Sequence, residues 1–582
     1  MLDHQQQQCV DNIAFILLDQ LLAQTDATFH GYQTLKMQIS DCVTQRKPIT
    51  LLLPAFPCKT NNLDKVLGHL PDLGEYRVLR KFIQAIRDIQ SVYSSGVMLY
   101  IFSDYHTFSD YIHVDLEHHY RYSDGLRNMV ENMNASDCVK IINFEHFPAF
   151  DDLNEYQYFS GLKQRFGDPA YEQDFARLKQ HDHAMHCTYL GLKKFMHQDQ
   201  KHVLATLSHK ARRERLSEMA KGMMVQGRAL DNFLNAYFSH AIRLSIHEHP
   251  MQGHKYSLFL FEERAFKTPW HTCVLFDARR GEFVIDTQQQ HRQQEGVIVP
   301  VTYQGTLWCL LRLYVSDAAD AQLLGSLRAT LQAEQFGLTL EWPDEIALAR
   351  LPQAQLRQLA RAFSVVRLRG ARPLSTPDQL EQWLTPNGEC LPEKDVASAL
   401  QAQSAWFGLS LPSDHAARDY SYSDTTPDEW AFCCTETRAE VALWDASLAA
   451  LRLNGAQRAT LQTTLVTYAE ARTYPLVMRV PRYGWSLRWS PALVTAVSFS
   501  GQNLDRESVT ASLAPALDRS AAHHVMTLQS GDVLLVNNHT TLIASAVGTC
   551  EGVVVRQPIS VNSPWQAHNQ PTESRQRQTS PV

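Results

Sequence analysis

The sequence predicts an α/β protein whose first half is built on an open, mostly parallel, Rossmann-like sheet with flanking helices. Two observations carry this. From residue 1 to about 315, apolar runs of strand length alternate with stretches of helical periodicity, which is the pattern of βαβ units. The clearest of these units begins with ITLLL at 49–53, which stops at Pro54 and gives way to a loop holding Lys59 and the polar residues 60–62; helical rhythm resumes from Leu63, with Lys65 on the far side of the turn. A strand that feeds a loop and then a helix start puts that loop at the carboxyl edge of a sheet, where ligands bind, and free N–H groups at a helix start favour anions. A phosphorylated small molecule is the natural ligand for such a turn.

Taken in order, the chain opens with a helix over residues 10–24. The strand at 49–53 and a helix over 63–92 come next. A second strand is expected at 97–102, a helix near 120–133, and a third strand at 139–144. Two longer helical regions, 170–196 and 208–239, lead to a strand at 241–246. Strands at 272–276 and 282–286 flank Arg279–Arg280–Gly281 as a hairpin that would extend the sheet by an antiparallel edge. Beyond about 315 lysine nearly disappears and alanine, leucine and arginine rise; a helix is expected over 317–334 and a domain boundary near 340. The first domain is therefore placed at 1–335 and the second at 340–562. The polar, aromatic-poor stretch 563–582 reads as a disordered tail.

A chain of 582 residues is too long for one core, so two or three domains are expected. The net charge of -7 argues against nucleic-acid binding, which needs a basic face. The eleven cysteines include one adjacent pair, Cys433 and Cys434, and no CxxC, which excludes a zinc ribbon or thioredoxin motif and fits a reducing compartment. The N-terminus carries acidic residues and glutamines where a signal peptide would be basic, and nothing approaches the ~20 apolar residues of a membrane span. A cytoplasmic protein without membrane association is the expectation.

Several polar residues fall at predicted strand ends and could share one crevice. Lys59, Lys65 and Arg243 offer cations for a phosphate or carboxylate. Asp72, Glu75, Asp104, Asp110, His247 and His271 are candidate acid/base groups, and Trp270 could form an aromatic wall. Each residue alone is more often structural; the set is what suggests a site. The run HDHAMHC at 181–187 has imidazoles at spacings a metal could use, but on a helix only His183 and His186 would face one another. Glycine-rich phosphate loops of the GxGxxG or GxxxxGK[ST] type are absent, which counts against a dinucleotide or ATP site of those kinds.

Four blocks then match a known family. PAFPCKTNNLDKVLGHLPDLGE at 54–75, SDYHTFSD at 103–110, IRLSIH at 242–247 and TPWH at 268–271 resemble, in order and over roughly residues 10–315, the PvcA-type isocyanide (isonitrile) synthases of pyoverdine/dityrosine biosynthesis. The resemblance implies that the amine of tyrosine or tryptophan condenses with the ketone of ribulose 5-phosphate, whose C2 becomes the isonitrile carbon. It implies no metal or redox cofactor for this step. Lys59, Glu75, Asp104, Asp110 and His271 are then the catalytic candidates, and Lys65, Asp72, Arg243, His247 and Trp270 the substrate-binding ones. Lys59 could grip phosphate or form a Schiff base; Arg243 could clamp the amino-acid carboxylate. Two departures touch the pocket rim: no glycine stands near Tyr105, and Glu248 replaces the usual proline after IRLSIH.

The second half resembles another family. Residues 360–384 and 531–561 are similar to the early part and last strands of TauD-like Fe(II)/2-oxoglutarate oxygenases, which implies a double-stranded β-helix (jelly roll). Such enzymes hold iron with a His-x-Asp/Glu pair and a distal His. Here Ser421 and Ser423, or Tyr422 and Asp424, stand at the pair, and Ile543 stands at the distal position; Arg556 matches the arginine that grips 2-oxoglutarate. Iron and 2-oxoglutarate are therefore not expected to be used. This half would serve structure, homodimerisation or docking of a separate active oxygenase. The alternatives are a bifunctional enzyme with a displaced metal site among His415, His523, His524 and His539, or a non-catalytic scaffold.

Overall fold

A computed structural model describes residues 3–24, 31–248, 255–315, 317–372, 377–384, 389–390, 429–434, 438–468, 473–480, 484–487, 489, 494–517, 522–545 and 554–560. The chain divides into two compact units. One comprises Met1–Leu275, Val284–Gln294 and Leu307–Cys309; the other comprises Phe276–Phe283, Glu295–Thr306 and Leu310–Val582.

The first unit holds five strands: β1 (Ile49–Pro54), β2 (Val97–Phe102), β3 (Val139–Ile142), β4 (Ile242–Ser245) and β5 (Tyr256–Ser257). Their order is β3-β2-β1-β4-β5, and every neighbouring pair is parallel. This is the Rossmann-like sheet expected from the alternation of elements. The chain leaves β1 toward β2 and β3 and returns on the other side at β4, so the strand order reverses beside β1, the place where open α/β sheets bind ligands. A parallel sheet is covered on both faces, and Leu51, Leu52 and Leu53 of β1 are all fully buried. Leu52 and Phe102 pack with Phe144, Phe233 and Leu234 beneath the helix His209–Tyr237.

The flanking helices include α1 (His4–Gln20), α2 (Tyr32–Gln45), α3 (Leu73–Val92), α4 (Tyr105–Ile112) and α5 (Leu116–Asn132). The sequence places the start of α3 at 63, but it begins ten residues later. Pro71 disfavours helix before it, and Asp72 caps α3 itself: its side chain accepts from the Gly74 N–H while Glu75 accepts from the Asp72 N–H. The expected helix at 170–196 is three helices, Pro169–Gln173, Phe175–His181 and His183–Asp199. Asp182 interrupts the run and caps the last of them through the Met185 N–H. That break separates His181 from His183, and His181, His183 and His186 are all exposed.

In the second unit the stretch expected as a helix at 317–334 is a short helix, Ala318–Gly325, and then a strand, Arg328–Ala333. RATLQA alternates buried and exposed residues with period two, a strand signal that the alanine-rich composition hid. The hairpin Cys273–Asp277 and Glu282–Asp286 is present, but it lies in an eleven-stranded mixed sheet rather than at an edge of the parallel one. Within that sheet Val365–Ala371, Val533–Asn537, Glu429–Cys434 and Val554–Ser560 are consecutive antiparallel neighbours. A three-stranded sheet of His523–Gln529, Arg438–Asp445 and Thr541–Ser545 faces them. Trp430, Phe432, Leu534 and Val536 from one sheet meet Val441, Leu443, Met526 and Leu528 from the other in a single buried core, so this half is a two-layer jelly roll. Among the described residues no helix is long and apolar enough to cross a membrane.

One contact ties helix packing to the loop after β1. Gly125 of α5 lies against Pro71, and a Cβ built there would come within 2.5 Å of Pro71 Cγ. Alanine normally stabilises a helix over glycine by up to about 1 kcal/mol. Here Gly125→Ala should destabilise the protein instead, by about 1–3 kcal/mol as overpacking does, measured by urea unfolding.

Candidate active site

The loop after β1 leaves the sheet through a strained residue. Phe56, fully buried, has φ of 60°, a left-handed conformation that costs a side-chain-bearing residue about 1–2 kcal/mol. It is held by the Ser103 hydroxyl, which donates to its carbonyl at 3.1 Å, and by the Trp270 ring 5.0 Å away. His119 Nδ1 lies 2.7 Å from the Pro57 carbonyl, and its ring stacks on Tyr105 at 4.2 Å. Burial pushes His119 down to about 4 and His106 down to about 3, so these imidazoles act as neutral pillars of the loop.

This turn delivers Lys59 into the interior. Its Nζ lies 2.7 Å from Asp72 Oδ2, 2.9 Å from Glu75 Oε2 and 2.9 Å from the Pro269 carbonyl, with all three side chains essentially inaccessible. Tyr122 donates its hydroxyl to the other oxygen of Glu75 at 3.0 Å. Burial works against the charge on Lys59, but Asp72 and Glu75 together hold its pKa above the usual lysine value. One lysine faces two carboxylates, and burial pushes the Asp72 carboxyl upward despite Lys59. Lys59 thus joins the start of α3 to the TPWH turn; its ammonium is enclosed, not presented to a ligand.

A second group lies closer to solvent. Lys65 Nζ is 2.7 Å from Asp199 Oδ1, and His271 Nδ1 is 3.3 Å from the same oxygen. Asp199 is 3% exposed, whereas the side chains of Lys65 and His271 are 14% and 26% exposed. Gln200 donates to the other oxygen of Asp199 at 2.9 Å and also to the Ile112 carbonyl. Burial raises the Asp199 carboxyl, but His271 and Lys65 outweigh it and hold it well below the ordinary range. Phe195, one turn earlier on the same helix, packs edge-on to His271 and lies 5.0 Å beneath the Lys65 ammonium.

Asp104 completes the set. It precedes α4 at the carboxyl end of β2, and its Oδ1 is buried without a hydrogen-bond partner. Burial pushes its carboxyl up to about 7. Burial also raises the Cys58 thiol, which Asp104 and Asp199 raise further through their charge, so both carboxylates are near that side chain. A buried carboxyl that changes protonation near neutrality is suited to acid/base chemistry.

Lys59, Lys65, Asp72, Glu75, Asp104 and His271 are therefore gathered around the loop after β1. The other candidates are placed differently. Asp110 is exposed, with Ser109 beside it. Arg243 is occupied by Asp231 and Asn235 at 3.1 and 3.0 Å on the helix His209–Tyr237. His247 is exposed just past β4, and Trp270 is 3% exposed in the core against Phe56. Asp199, Tyr122 and Gln200 had no sequence signal: each lies in a long helical stretch outside the four blocks, and only packing brings it to the loop.

Among the described residues no group of three His, Cys, Asp or Glu could hold a metal ion. His523 stacks on Trp444 and His524 on Phe336, while His539 is buried beside Asn537. Ile543 has no donor atom, and its strand pairs it with Leu443. The side chain of Arg556, residues 421–424 and His415 lie outside the described residues.

A parallel sheet with a charged, partly buried site at the carboxyl end of its central strands defines an α/β enzyme domain. Residues 39–298 match the family model described as "Pyoverdine/dityrosine biosynthesis protein", so the first half of the chain is similar to that family. The chain is 29% identical over 256 residues to the L-tryptophan isonitrile synthase AmbI2 of Fischerella ambigua, covering 44% of this chain and 75% of that protein. It is 28% identical over 262 residues to the L-tyrosine isonitrile synthase of Xenorhabdus nematophila, covering 44% and 77%. The chain spans only about half the length of two fungal relatives. Among solved structures, PvcA of Pseudomonas aeruginosa is 26% identical over 48% of this chain and 91% of that one, with a TM-score of 0.45. The PvcB oxygenase of an isonitrile pathway is 21% identical over 43% and 94%, with a TM-score of 0.33.

The Lys59 cluster has a measurable signature. Lys59→Met strands two buried carboxylates, and urea unfolding at pH 8 should show a loss of about 3–5 kcal/mol. A carboxyl whose folded pKa is raised contributes most below its unfolded value and loses that contribution as pH rises through the folded value. The deficit should therefore be smaller at pH 5.

Proposed function

We propose that the first half of this chain is an isonitrile synthase that converts the amine of tyrosine or tryptophan to an isonitrile, with ribulose 5-phosphate as carbon donor. The relatives named as isonitrile synthases support the reaction class. The observation that carries the mechanism is Asp104, a buried carboxyl with a pKa of about 7 whose Oδ1 has no hydrogen-bond partner and which, like Asp199, acts on the Cys58 thiol. Amine attack on the ketone needs an acid to expel water, and Asp104 in its protonated form is suited to give that proton to the departing hydroxyl. The later eliminations need carbon-bound protons removed, and its ionised form is suited to take one. Lys59 is assigned a supporting role: its amine is kept protonated by two carboxylates, so it has no lone pair for a Schiff base.

The second half is proposed to be catalytically inactive, with a structural or docking role toward a homodimer partner or a separate oxygenase. Its distal ligand position is isoleucine, and serine or tyrosine hydroxyls do not replace imidazole for Fe(II). A cytoplasmic location fits the cysteine pattern.

Mass spectrometry of the reaction with C2-labelled ribulose 5-phosphate and both amino acids in competition tests the reading. The label is expected in the isonitrile carbon, undiminished by chelator and without succinate from 2-oxoglutarate. Failure to convert either amino acid would overturn it. Asp104→Asn should lower kcat/KM by about 10²–10⁴-fold, and the wild-type pH profile should inflect near 7, where Asp104 titrates.

A further inference from the structure

We infer that Asp199 is a positioning residue that fixes Lys65 and His271 as a two-pronged clamp for the phosphate of the sugar-phosphate substrate. The inference rests on the synthase reading above and adds a place for the phosphate within it. Its basis is one oxygen, Asp199 Oδ1, shared by Lys65 Nζ at 2.7 Å and His271 Nδ1 at 3.3 Å. Both nitrogens are brought together at one atom, and Lys65 cannot swing away without giving up its hydrogen bond to it. The carboxylate behind them is itself fixed, because Gln200 holds its second oxygen and anchors to the Ile112 carbonyl. Phe195 supports both heads from below.

Charge and exposure point the same way. Asp199 is buried while Lys65 and His271 reach partial exposure, so an approaching ligand meets the cations and not the anion. Lys65 brings an ammonium and His271 a ring nitrogen to this edge, and an anionic phosphate complements such donors. His271 Nδ1 is buried and its contact with Asp199 is off the hydrogen-bond line, a looseness that a ligand on the opposite ring nitrogen can tighten. Neighbouring cations are committed elsewhere. Lys59 is enclosed by Asp72, Glu75 and Pro269, Arg243 is held by Asp231 and Asn235, and Lys201 pairs with Asp64.

The test uses the full-length protein and two readouts. In steady-state kinetics, Lys65→Met, His271→Gln and Asp199→Asn should each raise KM for ribulose 5-phosphate, by about 10- to 100-fold for Lys65→Met, the loss of one charge-assisted contact. KM for the amino acid should stay within about twofold, and Asp199→Glu should restore part of the loss. Because Asp199 acts through the two cations, Asp199→Asn added to Lys65→Met/His271→Gln should change nothing further. Calorimetric titration with inorganic phosphate should show weaker binding in the same order, and it needs no turnover. If wild-type protein makes no isonitrile, the synthase reading falls while the phosphate titration still decides the clamp. The inference is overturned if the variants raise KM for the amino acid instead, if both phosphate readouts stay at wild-type values, or if Asp199→Asn keeps its full effect when added to the double variant.

Discussion

The first unit depends on a buried ammonium. Lys59 lies among Asp72, Glu75 and the Pro269 carbonyl, joining the loop after β1, the first turn of α3 and the TPWH turn, segments separated by up to 210 residues. A charge buried this deeply is tolerable only when it is paired and hydrogen-bonded on every side. The surroundings meet that condition, since the Tyr122 hydroxyl and the Gly74 N–H take up the remaining carboxylate oxygens and the Asp72 N–H adds a second donor to Glu75 Oε2. Because the partners come from two elements, the start of α3 and the TPWH turn, the loop geometry and the registration of α3 against the turn are set together.

The same cluster shows why parts of the site are legible in the sequence and others are not. The strand, the loop and the polar blocks point to the parallel sheet and to six residues that gather around the loop. The roles within that group are harder to read. Lys59 and Lys65 look alike as lysines beside a turn, yet one is enclosed and the other partly exposed, a difference set by where Pro71 and Asp72 start the helix. Asp199 ends a helix that carries no motif and meets His271 across 72 residues of chain, so no local pattern could announce it. Arg243 has the strand position of a carboxylate clamp, but Asp231, which also pairs with Lys255, and Asn235 on the preceding helix already hold it.

Composition misleads at the start of the second unit for a related reason. Alanine and leucine favour helix in isolation, yet RATLQA takes its conformation from strand partners on both sides, Val301–Tyr303 and Leu338–Glu341. Tertiary pairing overrides propensity there, as it does wherever alternating burial is available.

The jelly roll raises a different question, namely what holds its two sheets together. The two sheets meet through Trp430, Phe432, Leu443, Met526 and Leu534, and burying side chains of this size contributes roughly 1.5–3 kcal/mol each. Outside that core, Glu429 is held by both Arg357 and Arg361, so the strand carrying Trp430 is anchored to the helix Gln353–Phe363 by an ion pair as well as by packing. A sandwich core of this kind is distributed over many apolar contacts, so no single side chain carries it and it tolerates volume-conserving substitutions.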